Sequence, residues 1–145
     1  MIKNANDKKN IIINSIGYWS FKAKCYDKTN WVRDHNLLKV LFSLLPYNDY
    51  KPVFDMETDS GAVAEALSFN RTNGVGNIDI SEDMMKNLNK RITKTAADVY
   101  FLPFKGNSFD LNAMPNVLHY LDSPATVLTE IEGCVLKDKA FFLLW

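Results

Sequence analysis

Val53-Phe54-Asp55-Met56-Glu57-Thr58-Asp59-Ser60-Gly61 is a short apolar run closed by an acidic, turn-prone cluster, and an apolar helical pattern over Ala62–Leu67 follows at once. A buried strand feeding a tight turn and then a helix is the opening unit of an α/β nucleotide-binding sheet. In such a unit the turn faces the ligand, because the strand's carboxyl end and the helix's free N–H groups converge on it. This turn is unusual in one respect. Glu57 and Asp59 stand where glycines ordinarily let a ligand lie against the backbone.

Downstream, Asn70–Gly74 is a turn, and a second strand, Val75–Ile80, ends at Asp79. Ser81-Glu82-Asp83-Met84 predicts a helix start, with Ser81 as N-cap and acids in the first turn; the helix is expected to reach Thr93, with Met84, Met85 and Leu88 inward. A short third strand is expected over Ala96–Tyr100, ending near Asp98. Leu102-Pro103-Phe104 and a polar turn at Lys105–Ser108 lead into a fourth strand, Phe109–Met114, which Pro115-Asn116 breaks. Val117–Tyr120 predicts a helical turn. Pro124 opens a helix to Leu136 with Val127, Leu128, Ile131 and Val135 on one face. After a turn at Lys137–Lys139, Ala140–Trp145 is a fully apolar fifth strand of the kind buried in parallel sheets. Five strands separated by helical patterns predict an α/β fold, an open, doubly wound, mostly parallel sheet.

Upstream, Trp31, Leu37, Leu38, Leu41, Phe42 and Leu45 recur at helical spacing over Asn30–Leu45, and Pro46–Pro52 is the loop into the first strand. Residues 1–10 are polar and read as frayed. Ile11–Phe21 has no clean period and suits either a short strand or part of a cap over the sheet. The 145 residues therefore read as one domain, with 1–50 as N-terminal cap and helix and 51–145 as the core. The charges balance, 17 Lys+Arg against 17 Asp+Glu, so nothing global favours nucleic acid or an anionic membrane as partner. No stretch approaches the roughly 18 apolar residues of a membrane span. Cys25 and Cys134 lie far apart and form no metal-binding pair, which suits a reducing, cytoplasmic setting and gives no metal site.

The acids fall at strand ends: Asp55 after the first strand, Asp79 after the second, Asp98 after the third. A carboxylate at the second position accepts both hydroxyls of a ribose, and one at the third accepts an exocyclic base amine. Nothing suits phosphates, since no GxxxxGK[ST] occurs. Each aspartate also has an ordinary alternative as a strand-terminal or helix-capping residue.

Together these segments resemble the class I S-adenosyl-L-methionine-dependent methyltransferases, in particular the small-molecule type 11 group. Asp55–Gly61 aligns with the family's D-x-G-x-G-x-G turn, and Asp79-Ile80-Ser81-Glu82-Asp83-Met84 with its second motif. Ala97-Asp98, Leu102-Pro103-Phe104, Asn107-Ser108-Phe109-Asp110, Val117-Leu118-His119-Tyr120-Leu121 and Val135-Leu136-Lys137 follow in family order. The resemblance covers Val53 to Trp145 and implies a Rossmann-like sheet that binds S-adenosyl-L-methionine and moves its methyl group to a small-molecule acceptor. It implies that Asp55 orients the turn and reaches toward the cofactor's amino group, and that Gly61 permits close approach at the helix start. Asp79 would take the ribose hydroxyls and Ile80 would pack on adenine. Asp98 would hold the adenine amine with Val99 beside it, and Met114 would flank the methionine part. His119 matches a histidine that is structural or lies near the substrate mouth, and no catalytic residue is assigned.

Two departures qualify the resemblance. Glu57 and Asp59 replace the third- and fifth-position glycines, placing bulk and negative charge where the cofactor's carboxylate end is expected; Asn77 and Asp138-Lys139-Ala140 replace further glycine-containing positions. A degenerate, catalytically inactive binding or interaction module is therefore the alternative function, and another dinucleotide enzyme a weaker one. The sequence also stops at Trp145, where the family's sheet continues to seven strands, so the sheet is expected to be truncated after the fifth strand, as a fragment or degenerate copy. That apolar strand would be an unprotected edge, which pairs readily with another chain. Light scattering at tens of micromolar is expected to show self-association, and a monodisperse monomer would exclude it.

Overall fold

The computed structural model describes residues 5–29, 34–43, 52–69, 75–90 and 92–144. Four strands form one sheet in the order β2-β1-β3-β4, with every pairing parallel. They are β1 (Val53–Met56), β2 (Val75–Ile78), β3 (Phe109–Pro115) and β4 (Val135–Leu144). Helices α1 (Ala5–Lys22) and α2 (His35–Ser43) precede the sheet, α3 (Ala62–Phe69) follows β1, and α4 (Pro124–Cys134) follows β3.

All four residues of β1 are buried, because helices cover both faces of the sheet. Successive side chains point to opposite faces, so β1 supplies two cores. Val53 packs with Ala64 and Leu67 of α3 on one side, together with Leu111 and Ala113 of β3. Phe54 and Met56 pack on the other side with Val127, Ile131 and Cys134 of α4. The Leu-Pro-Phe segment has a clear packing purpose. Phe104 stands edge-on to Phe54 (4.7 Å, 72°) and to Phe109 (5.1 Å, 87°), while Phe54 and Phe109 stack at 4.6 Å. This trio pins the irregular chain before β3 to the sheet.

The first strand, the helix after it, the fourth strand (β3 here) and the 3₁₀ turn at Leu118–Tyr120 fall where expected. Several other expectations are corrected. Ile11–Phe21 lies within the 18-residue helix α1, so the strand option fails; Ile12, Ser15 and Trp19 of that helix line the crevice at the strand ends. Three consecutive isoleucines favour a strand by propensity, but i, i+3, i+7 packing onto the crevice fixes a helix. α2 begins at His35 because the Asp34 carboxylate accepts the N–H groups of Asn36 (2.9 Å) and Leu37 (3.2 Å). Leu38 is buried there and Leu37 exposed; Trp31 and Leu45 lie outside the described residues, as do the expected turn at Asn70–Gly74 and Trp145.

The helix expected over 81–93 is one 3₁₀ turn, Met84–Asn87, after which Leu88 turns extended (φ −60°, ψ 140°). Met84, Met85 and Leu88 are nevertheless buried, and the break falls between Asn87 and Asn89, a residue type that disfavours helix interiors. The expected third strand is a single parallel bridge, Asp79↔Ala96, because the chain turns at Val99 and Tyr100 instead of continuing beside β2. The second strand likewise ends at Ile78. α4 ends at Cys134 and buries Val127, Ile131 and Cys134, whereas Leu128 is 38% exposed; the spacing of Val127 and Leu128 cannot place both inward. No turn interrupts β4 at Lys137–Lys139. The register instead jumps from Phe109↔Val135 to Leu111↔Ala140, so the surplus residues are absorbed as a bulge.

Phe54→Ala removes a fully buried ring from the aromatic trio and is expected to cost about 3–5 kcal/mol in urea unfolding. Phe101→Ala, at a ring 61% exposed, is expected to change stability by less than about 0.5 kcal/mol.

Candidate functional site

The turn after β1 keeps the backbone that glycines would adopt. Glu57 and Asp59 both have φ 51° and Gly61 has φ 88°. A left-handed conformation costs a non-glycine residue roughly 1–2 kcal/mol. Neighbouring groups hold this one in place. The N–H of Thr58 donates to Ile78 O (2.9 Å), that of Asp59 to Asp79 Oδ2 (2.9 Å) and that of Gly61 to Thr58 O (2.8 Å). Gly61 is required where it stands, since a Cβ there would run into the Leu88 side chain.

A cavity of about 290 Å³ opens at the carboxyl ends of β1 and β2. Glu57, Asp79, Ile80, Asp98 and Val99 all line it, so five of the residues singled out in the sequence are brought together. The other three lie elsewhere. Asp55 is fully buried beneath the turn, where its Oδ2 accepts the Thr58 hydroxyl (2.8 Å). Gly61 packs on Leu88, and Met114 is fully buried in the core against α4. His119 is exposed, with its ring 3.9 Å from that of Tyr120.

Sequence reasoning missed the aromatic wall. Trp19 of α1 and Tyr26, in the 3₁₀ turn after it, line the cavity with Tyr100 and Tyr120. Trp19 stands edge-on to Tyr26 (6.4 Å) and to Tyr120 (5.0 Å). The Tyr26 hydroxyl donates to Asp59 Oδ2 at 2.6 Å, and Ser20 Oγ lies 3.1 Å from Ser81 Oγ, so α1 and the turn after it are tied to the rim at two points. The helical spacing of Ile12, Ser15 and Trp19 is the signal that would have shown which face of α1 turns inward.

Charge dominates the site. Five carboxyl groups line the cavity (Glu57, Asp59, Asp79, Asp98 and Asp122), and among the described residues no lysine, arginine or histidine does. Burial pushes Asp59 up to about 8, with Asp79 and Asp55 adding to the rise and the Tyr26 hydrogen bond opposing it. Burial likewise pushes Asp55 up to about 7, opposed by the Thr58 hydroxyl and the Ala64 N–H. Asp79 rises to about 6 for the same reason, held down by the N–H groups of Ser81 and Asp59. Glu57 is raised well above the ordinary carboxyl range by burial and then by Asp79, Asp59 and Asp98. Burial, together with Asp59, also raises Tyr26 and keeps its phenol protonated.

Each of these folded values exceeds the unfolded one, 3.8 for an aspartate, so the native state holds protons that the unfolded chain has released. The stability they contribute is fully present below the unfolded value and is lost as pH rises toward about 8. The melting temperature is expected to fall between about pH 4 and pH 8, and Asp59→Asn, which keeps an acceptor for Tyr26, to flatten that fall. A melting temperature that rises over the same range would contradict this.

The residues fit one half of an adenosyl cofactor. Asp79 and Asp98 carry carboxylate acceptors beside the apolar Ile80 and Val99, a set suited to ribose hydroxyls, a base amine and the faces of a purine ring. They do not fit the amino-acid carboxylate of S-adenosyl-L-methionine. Three N–H groups of the turn are already donated within the protein, no lysine, arginine or histidine among the described residues lines the cavity, and Glu57 and Asp59 add two further carboxyl groups.

The fold is shared with solved structures. A candidate S-adenosyl-L-methionine-dependent methyltransferase of Methanococcus maripaludis is 18% identical (TM-score 0.74), the match covering 86% of this chain and 62% of that one. A candidate methyltransferase of Haloferax volcanii, solved in complex with a methyltransferase activator, is 22% identical (TM-score 0.71) over 90% of this chain and 58% of that one. A phosphoethanolamine N-methyltransferase of Haemonchus contortus, in complex with phosphomonomethylethanolamine and S-adenosylhomocysteine, is 16% identical (TM-score 0.69) over 86% of this chain and 32% of that one. This chain thus spans less than two thirds of the length of these three structures. No curated protein matches it in sequence. The methyltransferase domain family matches residues 55–143, from the acid of β1 into the last described strand. The chain belongs to the methyltransferase domain family and has the class I S-adenosyl-L-methionine-dependent methyltransferase fold.

Proposed function

We propose that the cavity at the strand ends is an adenosyl-ligand site and that the chain's activity is S-adenosyl-L-methionine-dependent methyl transfer to a small-molecule acceptor. The observation carrying this reading is the convergence of Asp79-Ile80 and Asp98-Val99 on one cavity, from segments about 20 residues apart, in a chain of the methyltransferase family. Tyr120 and Thr126 line the same cavity from the side of β3 and α4, and they are candidates to meet the acceptor. The chain's own contribution is positioning. The turn is clamped by Asp79, the base edge is offered Asp98, and α1 shields the crevice from water. A reducing, cytoplasmic setting accords with the unpaired Cys25 and Cys134, and no helix among the described residues is long and apolar enough to cross a membrane.

A second reading, a binding module without turnover, is favoured by one observation: Glu57 and Asp59 occupy the left-handed positions of the turn and put two carboxyl side chains into the cavity there.

Calorimetry with S-adenosyl-L-methionine and S-adenosylhomocysteine tests the adenosyl reading. Binding is expected, weakened about tenfold or more in Asp98→Asn, which removes a charged acceptor from the cavity. Asp79→Ala is a poorer probe because Asp79 also holds the turn. No heat from either ligand at millimolar concentration would remove S-adenosyl-L-methionine as the methyl donor, and binding without methyl transfer to any acceptor tried would favour the second.

A further inference from the structure

The misfit at one end of the cavity is specific enough to describe the ligand. Four of the five lining acids come from three different loops: Glu57 and Asp59 after β1, Asp79 after β2, and Asp98 before β3. Three of these four already accept a hydrogen bond from the protein. Asp59 accepts from Tyr26 (2.6 Å), Asp79 from the N–H groups of Asp59 (2.9 Å) and Ser81 (2.7 Å), and Asp98 from the N–H of Tyr100 (3.0 Å). Glu57 is the exception. Among the described residues no group donates to it, although it is half-buried and faces Asp59, Asp79 and Asp98. A carboxylate in that position needs a proton or a cation.

A separate feature points the same way. Trp19 stands edge-on to both Tyr26 and Tyr120 on one side of the same cavity, and aromatic walls of this kind attract an ammonium or sulfonium group. No group of His, Cys, Asp or Glu side chains among the described residues is arranged to hold a metal ion, which favours an organic cation.

On the reading of the cavity as an adenosyl site, we infer that the ligand it prefers over S-adenosyl-L-methionine is an adenosyl sulfonium or adenosyl amine whose arm ends in an amine and bears no carboxylate, with Glu57 as the acceptor for that amine. Removing the carboxylate from the arm removes the negative charge that would oppose ionisation of Glu57 and Asp59. The amine then supplies the donor that Glu57 lacks. The substitutions at the glycine positions thus change which arm is accepted while leaving the adenosine end unaltered.

The test is calorimetry on the full chain with a graded set: S-adenosyl-L-methionine, its decarboxylated counterpart, and methylthioadenosine, which has neither the amine nor the carboxylate. The decarboxylated sulfonium is expected to bind about tenfold or more tightly than S-adenosyl-L-methionine. Glu57→Gln, close in shape, is expected to remove most of that preference while methylthioadenosine affinity stays within about twofold. Glu57→Gly with Asp59→Gly is expected to shift the preference toward S-adenosyl-L-methionine, and it guards against a Gln side chain that finds its own amine contact. If S-adenosyl-L-methionine binds the wild-type chain as tightly as the decarboxylated ligand, or if Glu57→Gln leaves the ratio unchanged, the arm assignment is overturned and the adenosyl site stands. If none of the three binds a chain shown to be folded by circular dichroism, both are overturned.

Discussion

The carboxylate of Asp79 is the point from which the ligand-facing end of the sheet is organised. One oxygen accepts the N–H of Asp59 and so fixes the turn after β1; the other accepts the N–H of Ser81 and fixes the chain leaving β2. The backbone of the same residue receives the N–H of Ala97, drawing in the segment that delivers Asp98. Three loops that are distant in sequence thus meet at one side chain. Asp79 is almost fully buried, and its hydrogen bonds are charge-assisted, the kind whose loss leaves an expensive orphan. Any part it takes in ligand binding is added to this structural one.

The turn shows that a backbone conformation can outlast the residues that would favour it. Alternating positive φ at positions 57, 59 and 61 is what a glycine-rich turn adopts freely, yet two of the three sites are acidic. Bonds to Ile78 and Asp79 and the seat of Gly61 against Leu88 keep the path of the chain while the chemistry of its surface changes. Backbone shape and surface chemistry have separated at this turn, so the fold alone says little about what the turn will accept.

How much was legible in the sequence follows from how local each signal is. β1, α3, β3 and the opening of α4 were readable because buried runs, Pro124 and the spacing of apolar residues act within a few positions. The acids lining the cavity were readable because strand ends in such a sheet share one edge. The aromatic wall was not, since Trp19 and Tyr26 lie more than 30 residues before the turn they cover and their helix has a weak amphipathic pattern. The chain over 81–100 was misread for another reason. Ser81, the acids and the methionines favour a helix locally, but burying Leu88 against Gly61 and bringing Ala96 beside Asp79 demand an early break.

The hydrogen bond from Tyr26 to Asp59 has a consequence for how cap and crevice communicate. The two ends of that bond belong to different parts of the molecule, one in the turn after α1 and the other at the mouth of the sheet. A guest that draws Asp59 away from the phenol weakens the seating of α1, and anything that lifts α1 releases Asp59 to meet a guest. Thermodynamic reciprocity makes these two couplings equal in size. The first helix is thus an energetic partner in whatever the crevice holds, although it lies outside the segment that defines the family.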